Sequence, residues 1–130
     1  MKLLIALVVG VLIGAMGAVV VANTLRQRDA YARGLMDVMQ HHYSSMREGL
    51  RVQRCEPAET ARALARLRAL APDIDTAVFA DDTPDAPFRE FSARLVTTLD
   101  RAPAAPDCAA LAPLVQDIGT VCDECHQQYR

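Results

Sequence analysis

The chain contains no tryptophan, only three phenylalanines and three tyrosines, and a single lysine, Lys2. Its other cations are arginines scattered among 16 acidic residues, for a formal net charge of −2. Phosphate-backbone recognition needs a basic stripe, and none is present, so nucleic acid is excluded as a partner. No segment alternates apolar and polar residues with period two, and no repeat stands out, which excludes a sheet-built or solenoid fold.

Charge is also missing from one long stretch, residues 3–22, which follows Lys2 as an uninterrupted apolar run. Twenty residues in a helix match the hydrocarbon thickness of a bilayer, so the run reads as a membrane anchor. A cleaved signal peptide is the competing reading, with Val20 and Ala22 before Asn23 as a small-residue cleavage site. Signal cores are shorter, about 7 to 15 residues, which favours the anchor. Arg26, Arg28 and Arg33 lie just beyond it, where the positive-inside rule disfavours cations on an outer face. Gly10 and Gly14 have the Gly-x-x-x-Gly spacing that can bring two anchors together, and a homodimer stays open.

The division is therefore 1–22 as anchor or signal and 23–130 as one folded domain. Four amphipathic helices are expected in the domain. Helix A spans about 24–50, with Leu35, Met36, Met39, Tyr43, Met46 and Leu50 on one stripe, and Asn23 or Thr24 as a cap unless the anchor runs into it unbroken. Helix B begins at Pro57, a residue suited to a first helical turn, and ends near Ala71 before Pro72. Residues 73–87 read as a loop anchored by Ile74, Val78 and Phe79. Helix C covers about 87–101, and helix D follows Asp107, an N-cap residue, with Pro113 bending or delaying its first turn. Short connections make the expected fold all-α, an antiparallel up-down-up-down four-helix bundle. In that order Cys55 and Cys108 share one end, and a disulfide between them would contribute roughly 2–4 kcal/mol in an oxidising compartment.

Near the C-terminus stands Cys122-Asp123-Glu124-Cys125-His126. Cys-x-x-Cys-His is the run at which haem is attached to c-type cytochromes. Two thiols add across the haem vinyl groups and the adjacent imidazole reaches the iron. On a helix the three side chains project from nearly one face. A zinc site drawn from the four cysteines and three histidines, or a thioredoxin-like redox pair, are the readings without haem. The first lacks closely paired ligands, since Cys55 and Cys108 are isolated in sequence. The second lacks the strand and helix N-terminus that lower a thiol pKa.

With its C-terminal CDECHQQYR and its helix A order of Tyr31, Met36, Met39, His42, Tyr43 and Met46, the domain resembles the class II c-type cytochromes, the cytochrome c′ and cytochrome c556 family. The resemblance covers essentially all of residues 23–130. It implies one covalent haem c, His126 as proximal iron ligand, and Met36 at the helix A position facing the distal side of the haem. A methionine there resembles cytochrome c556, with His/Met ligation and single-electron transfer. Met39 is the substitute ligand, and a core filler is what a helical methionine stripe most often supplies. Arg33 and Arg130 are the residues that the family pattern suggests for contacts to the haem propionates, although Ala32 occupies the position four before Met36, where the family often has arginine. His41 and His42 read as a surface and a boundary residue.

The expected protein is thus a periplasmic electron carrier, not an enzyme, held to the inner membrane by residues 3–22 and exchanging electrons with redox partners of a respiratory or other periplasmic chain. Within the haem class, the other reading is a five-coordinate cytochrome c′-like protein that binds nitric oxide or carbon monoxide.

Overall fold

The structure, a computed structural model, describes residues 1–80 and 82–129, with side chains at all of these except 3–6 and 25–29. All regular structure among the described residues is helical. The elements are α1 (Lys2–Arg51), α2 (Pro57–Leu70), a 3-10 turn (Ala71–Asp73), α3 (Ile74–Phe79), α4 (Ala86–Asp100) and α5 (Cys108–Tyr129).

The 50 residues of α1 run without a break, so of the two alternatives the anchor continues into helix A and neither Asn23 nor Thr24 starts a helix. No proline interrupts the stretch, and Thr24 returns its hydroxyl hydrogen to the Val20 carbonyl at 2.8 Å instead of capping. At 1.5 Å per residue the rod is about 75 Å long. Its segment Leu7–Thr24 has a mean hydropathy of 2.2 and buries none of its length against the domain. It is long and apolar enough to cross a membrane, and a signal sequence shares those properties.

The far end of α1 is closed by two backbone bonds, Gln53 N–H to the Leu50 carbonyl at 3.1 Å and Arg54 N–H to the Gly49 carbonyl at 2.8 Å. This is the Schellman pattern, with Gln53 in the left-handed region at φ 54°. Pro57 opens α2 as expected. Asp85 caps α4 by accepting the Phe88 N–H at 2.9 Å, and Asp107 caps α5 by accepting the Ala110 N–H at 2.9 Å. Pro113 lies inside α5 without ending it.

Within the stretch expected as a loop, 73–87, Ile74–Phe79 forms a short helix. The turn and α3 bury Ala71, Ile74 and Ala77, whereas Val78, expected as an anchor, is exposed. The six-residue α3 packs on α1 and α4 and fills the gap between them.

The second half of α1 packs against α2, α3 and α5, and α4 packs against α5 and α2. The core joins Leu35, Met39 and Met46 of α1 to Leu64 and Leu67 of α2, Phe88 and Leu99 of α4, and Leu111 and Ile118 of α5. At one end Cys55 and Cys108 form a disulfide, with Cα atoms 5.2 Å apart. At the other, Tyr129 on α5 reaches Asp85 at the start of α4. Together with the Arg94–Glu124 ion pair at 2.7 Å, this contact shows that α4 and α5 run in opposite directions. Arg68 of α2 donates to the Leu99 and Ala102 carbonyls at 2.8 and 2.7 Å, satisfying acceptors that the end of α4 leaves open.

Candidate functional site

An apolar cleft with a cavity volume of about 160 Å³, partly open to solvent, lies among α1, α4 and α5. From α5 it receives Cys122, Cys125 and His126, and from α1 it receives Met36, Met39 and Tyr43. Phe88, Phe91 and Leu95 of α4 supply another wall. Helical spacing explains the grouping: residues three, four and seven apart share a face, so one stripe on each helix meets the cavity.

The two thiols of the motif are half-buried and not in a disulfide. Burial pushes the Cys122 thiol up to about 11, with the neighbouring Asp123 and Cys125 adding to the shift. Burial also raises Cys125. Both stand in the last turns of α5, where the helix carries partial negative charge. These surroundings oppose the thiolate form that thiol-disulfide chemistry uses.

Cys55 and Cys108 are joined to each other, so they are not available with Cys122 and Cys125 as zinc ligands. Among the described residues, no three His, Cys, Asp or Glu side chains gather as a metal cluster. The donors that do face one cavity are unlike in kind: two thiols and an imidazole from α5, and two thioethers from α1.

Met36 is partly buried and lines the cleft, whereas Met39, which also lines it, is 7% exposed and belongs to the core. His41 is exposed and His42 half-buried, with ring centroids 5.4 Å apart. Burial, then His41 and Arg66, lower the His42 pKa. Neither lines the cleft. Arg33 is exposed on α1 and is not among the described residues lining the cavity. Arg130 lies outside the described residues.

Sequence reasoning missed several wall residues, notably Arg47, Asp123 and Gly119. Arg47 lies 5.7 Å over the Tyr43 ring. Burial raises the Tyr43 pKa, although Arg47 opposes the shift, and the Tyr43 hydroxyl donates to the Val115 carbonyl at 3.3 Å. Gly119 is buried against that hydroxyl, and a Cβ there would overlap it. A lone glycine inside an apolar helical stripe was a partial signal, since alanine is the better helix former, but it does not say what the position meets.

Beneath the C-terminal end of α5 lies an aromatic cluster. Phe88 meets Phe79 and Tyr129 edge-on at 4.7 and 5.0 Å, and Phe91 meets Tyr129 at 6.4 Å. It supports the helix segment that carries Cys125 and His126.

Comparison with protein-family models, with curated proteins and with solved structures finds no match to this chain.

Proposed function

We propose that this chain is a monohaem c-type cytochrome that carries single electrons, with its domain in the periplasm and its N-terminal helix in the inner membrane. The observation that carries the reading is the gathering of Cys122, Cys125 and His126 on one side of an apolar cleft with Met36 on another. The donor set fits haem. Cys122 and Cys125 would hold it through thioethers, His126 would be the proximal ligand, and Met36 the distal one. Bound haem supplies a one-electron iron couple, and a thioether ligand favours its ferrous form.

The chain's own residues have three tasks in this reading. Leu67, Ile74, Phe88 and Leu95 keep water from the inner wall of the cleft. The packed α5 holds the imidazole and both thiols on one helix face. The disulfide supports an oxidising compartment, and α1 supports a domain standing directly on an anchor. In this reading the helices form an up-down-up-down four-helix bundle with α3 inserted between the second and third helices, supported by the packing of α1 on α2 and of α4 on α5. Partners are redox proteins that approach the open side of the cleft.

The test is the visible spectrum of the chain expressed in a bacterial periplasm, reduced with dithionite, with and without carbon monoxide. The expected result is covalent haem that survives acid-acetone extraction, with split low-spin bands that carbon monoxide leaves unchanged. A colourless protein would overturn the haem reading. A broad high-spin spectrum that shifts with carbon monoxide would replace electron transfer by gas binding.

A further inference from the structure

We infer that Tyr43 and Gly119 are positioning residues that fix the register of α1 against α5 and thereby set Met36, not Met39, opposite His126. The inference rests on the functional reading above and adds two residues to it. The Tyr43 hydroxyl lies in the space that a side chain at position 119 would occupy. The same hydroxyl donates to the Val115 carbonyl at 3.3 Å, so ring and helix meet in a notch that only glycine leaves open.

The register follows by counting along both helices. The disulfide joins the turn after α1 to the first residue of α5, so the two helices run in opposite directions from that end. Stepping away from it, Tyr43 is 12 residues before Cys55, and Gly119 is 11 residues after Cys108. Seven residues further on each helix stand Met36 and His126. Each step is two turns, about 10.5 Å, and seven residues return to nearly the same face with a drift of about 20°. Both steps therefore arrive at one level, and both residues line the cleft. Met39 is only four residues from Tyr43, level with Asp123, which is four from Gly119. A slide of α1 by one turn would exchange the two thioethers. A ligand pair must be held within about 0.5 Å of its working geometry, so a steric stop near the pair decides which sulfur serves.

The test uses the full chain with covalent haem as wild type, Gly119→Ala, Tyr43→Phe and the double variant. Three properties are read at equal haem content: the methionine-to-iron charge-transfer band, the fraction bound by carbon monoxide, and the thermal unfolding midpoint. Alanine is the better helix former, so an idle contact predicts an unchanged spectrum and equal or higher stability. The expected result is that Gly119→Ala loses the methionine band and gains at least tenfold in carbon monoxide binding. Adding Tyr43→Phe restores the wild-type spectrum, because the nearest remaining ring carbon is 3.3 Å from the new Cβ and yields by a small shift. Should Gly119→Ala fail to accumulate, Tyr43→Phe alone is read, with a several-fold rise in carbon monoxide binding expected. An unmoved spectrum in Gly119→Ala, a loss that Tyr43→Phe does not relieve, or no rise in Tyr43→Phe alone overturns the inference and leaves the haem reading standing. A wild-type protein without covalent haem, or with haem but no methionine band, overturns the ligation reading and this inference with it.

Discussion

The Tyr129 hydroxyl donates to Asp85 Oδ1 at 2.6 Å, tying the last residue of α5 to the residue that caps α4. This bond closes the end of the domain near the cleft, since its ring also rests on Phe88. It lowers the Asp85 carboxyl, helped by the Phe88 N–H, and raises Tyr129 to about 12. The depressed Asp85 contributes stability that is present above the ordinary carboxylate range and is lost as pH falls through its lowered value. The raised Tyr129 contributes stability that is complete below its ordinary value of about 10 and is lost as pH rises through about 12. Tyr129→Phe keeps the ring but removes the bond. Its melting temperature should fall below wild type across neutral pH, and the gap should close at both extremes. A gap independent of pH would assign the effect to packing.

The sequence made the helices legible because their apolar stripes have the helical period and the ends of two of them carry Pro57 and Asp107. It left the break-free α1 as one of two alternatives, since Asn23 and Thr24 are good cap residues whose use depends on whether the preceding residues are helical. It did not reveal α3. Six residues with two prolines close on either side give too short a pattern, and their helix is fixed by burial of Ile74 and Ala77. In the cleft, the three motif residues were readable from type and spacing, and Met36 only through the family resemblance. Gly119 and Arg47 were not, because their roles depend on what the opposite helix presents.

Met36 and Met39 line the same cleft but differ in burial, which separates their expected phenotypes. Met39→Ala removes a core side chain and should cost about 2–5 kcal/mol in urea unfolding while leaving the low-spin spectrum intact. Met36→Ala should cost less stability and, on the proposed His/Met ligation, open the iron to carbon monoxide. The reverse pairing of spectrum and stability would make Met39 the ligand.

The disulfide lies at the end of the domain away from Met36. From Met36 to Arg51, the last residue of α1, the helix runs roughly 22 Å. Replacing Cys55 and Cys108 by serine frees a loop of 53 residues in the unfolded chain and should lower stability by roughly 2–4 kcal/mol. On the proposed haem reading the spectrum should not change, because the cleft is formed by helix segments beyond the bridge. Denaturant titration and the reduced spectrum of the same sample test both halves. Loss of haem attachment in this variant would instead show that the bridge must form before the motif cysteines can react.

The turn that ends α1 predicts two substitutions whose signs run against helix propensity. Gly49 is inside the helix, where alanine is ordinarily better by about 1 kcal/mol. A Cβ there, however, would meet the Arg54 carbonyl oxygen at 2.9 Å, an atom held by the turn itself through the Arg54 N–H bond to Gly49. Gly49→Ala should therefore destabilise. Gln53 holds φ 54°, a conformation that costs a residue with a Cβ about 1–2 kcal/mol and costs glycine little. Its side chain adds only an exposed bond to the Leu50 carbonyl at 2.9 Å. Gln53→Gly should then stabilise by about 1 kcal/mol or somewhat less, since glycine also loses more freedom on folding. Urea midpoints of the two variants decide the matter. Because Cys55 directly follows this turn, a Gly49→Ala protein that keeps its stability would mean that the chain can reach the disulfide by another path.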